Sequence, residues 1–259
     1  MPARRSLTVA IPALNEEHNI EQTVHAVLAS ASKVANLRVE VLVVDDGSAD
    51  RTAEIVRELA RRHDCVRLVQ NTRNLGLGAS IRRAIDVASS EKISVIPGDN
   101  DIPAATLALL LSNAYAADVV MCYFHNDESR GRLRFIISTV FRLIYTTCFD
   151  IYLQYVNGPA VYPLEKLRQI ELCSTRFSII AEINVKLLRQ GVTFVEVPST
   201  RQVGLEGSTS LGIRSFIEAV RVFFQLLLDV YVRHRHKYAH RPVRLAYDLS
   251  LHKAARDSH

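Results

Sequence analysis

Four short apolar runs, rich in β-branched residues, recur in the first hundred residues: LTVAIPAL (7–14), VEVLVVDDGS (39–48), VRLVQN (66–71) and KISVIPGD (92–99). None alternates apolar with polar residues as a strand with one wet face does, so each reads as a strand buried on both sides. Between them lie amphipathic segments that predict helices at about 16–30, 50–64 and 77–90. In the second, Asp50 is placed to cap the helix while Ile55, Val56 and Leu59 form its apolar face. Strand and helix in strict alternation require an α/β fold: a mostly parallel central sheet with helices on both faces.

In such sheets ligands bind beyond the carboxyl ends of the strands. The segments falling there are Pro12–Glu17, Asp45–Ser48, Asn74–Gly78 and Asp99–Asp101, and they hold the unusual residues of this half of the chain. Asp99 and Asp101 stand one residue apart at a strand end. Two carboxylates so close repel each other and are costly to desolvate unless a cation joins them. Oxygen ligands of this kind suit Mg²⁺ or Mn²⁺, ions usually shared with substrate phosphates. Asp45 and Asp46 end the second strand, where a carboxylate can accept hydrogen bonds from ribose hydroxyls or a base.

After residue 104 the order loosens. A helix at 103–117, a strand at 118–124, a polar loop at 125–134 and an apolar stretch at 135–153 precede short strands at 158–163 and 192–199, which flank a helix at 179–191. The last element, SFIEAVRVFFQLLLDVYVRHR (215–235), carries Glu218, Arg221, Gln225 and Asp229 as a narrow polar stripe on an otherwise apolar helix. That pattern fits a helix lying in a membrane interface or packed on a partner. The basic tail that follows, from Arg233 to Arg256, suits an anionic partner, acidic lipid headgroups or nucleic acid. No run of 18 uninterrupted apolar residues and no secretory leader are seen, and Cys65, Cys122, Cys148 and Cys173 lie too far apart for a CxxC metal site.

The segments IPALNEE, VLVVDDGSADRT, NLGLGASIRRAI and GDND stand in the order and spacing of the family 2 glycosyltransferases with the GT-A fold. The chain resembles polyprenyl-phosphate glycosyltransferases, dolichol-phosphate mannosyltransferase among them, through NGPAVYP, FSIIAEINVKLLRQGVTFVEVPS and GSTS, over roughly residues 6–212. The resemblance implies that Pro12, Glu16, Val44 and Asp46 bind the nucleoside of a GDP- or UDP-linked sugar. It implies that Asp99, Asn100 and Asp101 hold the diphosphate through a metal, with Asp99 and Asp101 as ligands, and it adds Glu182 as a catalytic candidate. Phe124 stands where the family has a phosphate-binding arginine, and Arg130, Arg132, Arg134, Arg201 and Ser208 are the expected contacts to acceptor phosphate.

The expectation is a metal-dependent inverting glycosyltransferase acting on a polyprenyl phosphate. A hydroxyl acceptor, with Glu182 or Asp127 as base, and a silent membrane-docked module are the alternatives. The expected organisation is a GT-A catalytic domain over 1–212, then an amphipathic helix and basic tail over 213–259. The expected location is the cytoplasmic face of a membrane, with no nucleic-acid partner and with a homo-oligomer or a membrane subunit left open.

Overall fold

The computed structural model describes residues 5–124, 132–199 and 213–247; at 132–137 and 213–216 it describes the backbone alone. The first half alternates as expected: β1 (Arg5–Ala13), α1 (Ile20–Ser32), β2 (Leu37–Asp45), α2 (Thr52–Arg62), β3 (Val66–Gln70), α3 (Leu77–Val87), β4 (Lys92–Val95) and α4 (Ala104–Ser112). The second half holds β5 (Val119–Phe124), α5 (Arg132–Phe149), β6 (Ala160–Pro163), α6 (Leu164–Arg168), α7 (Ser178–Leu188), β7 (Thr193–Ser199), α8 (Ile213–Leu228) and β8 (Val243–Arg244). A π-helical turn at Asp229–Arg233 continues α8.

The described strands form one sheet in the order β3-β2-β1-β4-β6-β5-β7-β8. β6 is antiparallel to both β4 and β5, and every other pairing is parallel. All strands except β6 therefore point their carboxyl ends at one edge. The missing alternation in the sequence has its cause here. In β1, Leu7, Val9 and Ile11 enter one apolar cluster with α1, α2 and α4, while Ala10 enters the other with α3, α5, α7 and α8. Both faces are covered, so no strand position on β1 between Leu7 and Ala13 meets water.

Three features lie outside the sequence expectation. β4 ends at Val95, short of the expected 99, although the Ile96 and Gly98 amides still donate to the Ala10 and Pro12 carbonyls of β1. α8 is not a free-standing amphipathic helix: Val222, Leu226 and, in the π-turn, Val230 are buried in the same core cluster as α7. The basic tail is tied to the domain as far as β8. Arg233 pairs with Asp229, the Lys237 ammonium donates to the Gln169 carbonyl, and Arg241 pairs with Asp150.

Candidate functional site

The carboxyl edge is assembled by loops that hold each other. Asn15, in the left-handed region at φ 55°, donates from its backbone amide to the Ser48 hydroxyl oxygen and accepts from the Ala49 amide with its own Oδ1, both at 2.9 Å. The Glu16 amide donates to Thr52 Oγ1 at 2.8 Å, the Glu17 amide to Asp50 at 3.1 Å, and the Arg51 amide back to Glu17 at 3.1 Å. Asp50 stands one residue before the N-cap of α2, which is Arg51, and accepts from the Thr52 amide at 3.0 Å in place of the expected cap. Asn15, Ser48 and Thr52 thus lock the β1–α1 loop to the β2–α2 loop. Sequence reasoning had given them no role, since their partners sit more than thirty positions away.

Gly47, at φ 76°, completes that turn. A Cβ there would lie 2.6 Å from the Arg73 backbone, so only glycine lets the β2–α2 loop rest on residues 73 and 74.

Asp46 is 4% exposed and faces inward. Its Oδ1 accepts from Asn71 Nδ2 at 2.7 Å and the Leu75 amide at 3.0 Å, and its Oδ2 accepts from the Gly76 amide at 2.8 Å. Asp45 beside it accepts from the Ser48 amide and from Gln70 Nε2, both at 3.0 Å. Val44 is fully buried in the core and Pro12 is buried opposite it in the β1–β2 register, so any ligand contact from either runs through backbone. The first task of Asp46 is to shape the 74–76 loop that opens α3. Asp46→Ala takes the acceptor from the Leu75 amide, worth about 1–3 kcal/mol if left unsatisfied away from water, while the Gly76 amide keeps Asn74 Oδ1 at 3.0 Å. The expected outcome is a lower Tm together with similar weakening of free nucleoside diphosphate and sugar nucleotide, read by calorimetric titration. A loss confined to the sugar-bearing ligand would place Asp46 elsewhere in the site.

The Asp99–Asp101 loop is pinned to the same edge. The Gly98 amide donates to the Pro12 carbonyl at 3.2 Å, and Thr23 Oγ1 donates to the Gly98 carbonyl at 3.0 Å. Asn100 takes φ 56° and its side-chain amide donates to Gln22 at 3.1 Å, leaving Asp99 and Asp101 on either side of the bend. The Asp101 amide donates to Asp99 Oδ1 at 3.2 Å. Asp99 is exposed and Asp101 half-buried.

Glu16 belongs to this acidic neighbourhood. Burial raises its carboxyl above the ordinary value, the Asn19 hydrogen bond partly offsets that, and the charges of Asp99 and Asp50 push it up again. Among the described residues no three His, Cys, Asp or Glu side chains gather as a closed metal cage. Paired hard carboxylates with open coordination fit a Mg²⁺-type ion whose remaining ligands are water and a diphosphate.

Glu182 behaves differently from the expectation of a catalytic carboxylate. It is 2% exposed inside α7. Its oxygens accept from the Cys173 amide at 3.0 Å, the Ser174 amide at 2.9 Å, Ser174 Oγ at 2.6 Å and the Lys186 ammonium at 2.9 Å. Lys186 also lies 3.0 Å from Asp229 of the π-turn. Glu182 therefore fixes the 173–176 loop, and that loop touches the start of α3. The Thr175 carbonyl accepts from the Gly78 amide at 2.9 Å, and Arg82 donates to the Ser174 carbonyl. From α8, Glu218 Oε1 accepts the amides of Thr175 and Arg176 at 2.8 and 2.9 Å.

Arg130, Arg201, Ser208 and Asp127 lie outside the described residues, as do the side chains of Arg132 and Arg134.

Residues 8–158 match the family described as Glycosyl transferase family 2. An uncharacterized protein of Methanocaldococcus jannaschii is 30% identical over 199 residues, covering 72% of this chain and 83% of that protein. The dolichol-phosphate mannosyltransferase of Saccharomyces cerevisiae is 26% identical over 87% of this chain and 86% of its own length. That of Pyrococcus furiosus is 27% identical over 85% of this chain, which spans only 63% of the archaeal protein. The fold is shared with glucosyl-3-phosphoglycerate synthase from Mycobacterium tuberculosis, solved with Mn²⁺, UDP-glucose and phosphoglyceric acid. That match has a TM-score of 0.64 and 16% identity, over 88% of this chain and 80% of the other.

Proposed function

The chain belongs to glycosyl transferase family 2, and on that premise we propose that it moves a sugar from a GDP- or UDP-linked donor to a polyprenyl phosphate at a membrane surface. The observation that carries the choice of acceptor is an apolar face outside the core. Along α8 and its π-turn, Ile217, Val220, Phe224, Leu228 and Tyr231 recur at helical spacing and are 40–60% exposed. α5 presents Val140, Leu143 and Ile144, exposed by 44–63%. The two helices are joined beneath this face by Tyr145, Phe149 and Phe223, whose rings lie 5.4–5.6 Å apart, and by the Tyr231 hydroxyl donating to the Cys148 carbonyl. The polar stripe is partly turned inward, with Glu218 and Asp229 spent on the domain itself. What remains outside is more apolar than the sequence stripe implied, and exposed Arg221, Arg233 and Arg235 border it. Among the described residues no helix is long and apolar enough to cross a bilayer. Such a surface supports peripheral binding to an anionic leaflet, and we assign the protein to the cytoplasmic face.

Asp99 and Asp101 would hold the divalent ion, which when bound offsets the charge gathering on the diphosphate leaving group. Asp46, through the 74–76 loop, sets the wall against which the nucleoside rests, and the locked 15–17 and 48–52 loops keep it open. A lipid monophosphate is anionic near neutral pH, since the second phosphate pKa is about 6. One of its oxygens attacks the anomeric carbon from the face opposite the diphosphate. The bond from that carbon to the diphosphate oxygen breaks, the nucleoside diphosphate leaves, and the configuration inverts. No side chain needs to remove a proton, which agrees with a Glu182 committed to hydrogen bonds.

Removing 213–259 is a poor test, because α8 fills part of the core. Charges placed on the outer face are better. Leu143→Glu with Phe224→Glu is expected to leave Tm nearly unchanged and to abolish flotation with anionic vesicles, while wild type floats and is released by salt. Flotation of the folded double variant at wild-type level would remove this face as the membrane contact.

A further inference from the structure

A cavity of about 330 Å³ opens between Tyr123 of β5, Glu196 and Pro198 of β7, and the strap 244–247 that carries β8. It lies at the reactive edge of the sheet. Tyr123 pairs with Pro198 in the β5–β7 register, and both stand at the carboxyl ends of their strands, as the Asp99 loop does for β4. From β4 to β7 is three steps across β6 and β5, about 14 Å at the usual spacing of roughly 4.8 Å per strand. That leaves room for a sugar and its diphosphate between the acidic loop and the cavity.

The cavity is a built site. Glu196 is 4% exposed and its Oε1 accepts from the Gln154 amide at 2.6 Å. Its Oε2 stands 2.9 Å from an Arg244 nitrogen, and the Arg244 side chain is half exposed. The charge of Arg142, on α5, also acts on Glu196. Arg244, half exposed, is the cation of the lining, and Leu245, Pro198 and the tyrosine rings supply an apolar wall. An anionic head on an apolar stem matches this lining.

We propose that this cavity receives the phosphate head of the acceptor lipid, with Arg244 as the group that binds it and Glu196 as the residue that positions Arg244. The assignment rests on the phosphate-acceptor reading above. It gives the basic segment after α8 a specific task at the site in place of a diffuse attraction to lipid, and the short β8 strand brings Arg244 there.

The test uses the full chain, farnesyl phosphate and glycerol 3-phosphate as acceptors, and steady-state kinetics for acceptor and donor separately. Hydrogen bonds to charged groups are worth about 1.5–3 kcal/mol. Arg244→Gln is therefore expected to raise the KM for farnesyl phosphate about 10- to 100-fold, with donor KM and kcat at saturating acceptor near wild type. Arg244→Lys should recover part of the loss, and Glu196→Gln should shift acceptor KM in the same direction by less. A purely structural ion pair would instead lower Tm in Arg244→Gln and leave acceptor KM unmoved, which overturns the assignment. Wild type that uses farnesyl phosphate while Arg244→Gln keeps its KM sinks the cavity alone. Wild type that uses neither phosphate sinks the acceptor reading with it. Use of glycerol 3-phosphate only, with the same dependence on Arg244, keeps the phosphate site and removes the lipid.

Discussion

Lys186→Met is expected to destabilise the protein by about 3–5 kcal/mol, the usual result of removing one partner from a buried ion pair. For a chain of this size that is a fall in Tm of roughly 6–20 °C. Lys186 is 1% exposed, and its ammonium satisfies Glu182, Asp229 and the Glu171 carbonyl together. Without it two carboxylates stay in the core facing each other. Burial pulls the Lys186 ammonium down, but the charge and hydrogen bond of Glu182 and those of Asp229 outweigh it, and the net shift is upward. A lysine raised in the folded state stabilises fully below its unfolded pKa and loses that contribution as pH climbs through the folded value. The deficit of Lys186→Met should therefore be constant across neutral pH and shrink only in strong alkali. The companion variant Glu182→Gln keeps the shape and several hydrogen bonds. Once folded, it should transfer sugar at a rate near wild type with an unchanged pH profile. A fall in kcat of about 10²-fold or more, the low end for a lost general base, with Tm unaltered, would return Glu182 to catalysis.

Asp101→Asn and Asp99→Asn are expected to act the other way round. Each should reduce kcat/KM by about 10²–10³-fold or more, the scale seen when one stabilising group is taken from a charge-developing transition state. Asp99→Asn should not cost stability. Asp99 is exposed, and its charge acts unfavourably on Glu16, so Asp99→Asn should keep or slightly raise Tm. Diphosphate binding in these variants should no longer respond to Mn²⁺. Wild-type turnover by a folded Asp101→Asn would remove the loop from the reaction.

The parallel half of the fold was legible because burial on both faces of the sheet leaves its mark on β1, β2 and β4, while the edge strand β3 has Arg67 and Gln70 exposed. So were the loops that matter, since strand direction alone puts Asp46 and Asp99 at one edge. The antiparallel β6 and the two-residue β8 left no such mark: AVYP and VR are too short to show a period, and pairing decides their direction. The roles of Glu182 and Glu218 were hidden for another reason. Each is defined by amides on the 173–176 loop, and no local pattern announces which amides a glutamate will meet. The stripe on α8 was visible as a spacing, but Glu218 and Asp229 turn into the domain while Arg221 stays exposed. Their inward direction depends on Lys186 and Thr175, some forty residues earlier in the chain. Asn15 and Thr52 stood in plain view within the motifs, but their worth is mutual and appears only when the two loops meet.

The most direct measurement supplies the protein with Mn²⁺, a panel of UDP- and GDP-linked sugars and farnesyl phosphate on anionic vesicles, and follows the product by NMR. The expected product is a prenyl-linked glycosyl phosphate with anomeric configuration opposite to the donor, formed with one or a few of the sugars and abolished by chelator. Transfer to a hydroxyl with farnesyl phosphate untouched, or undiminished transfer in excess chelator, would contradict a metal-dependent polyprenyl-phosphate glycosyltransferase.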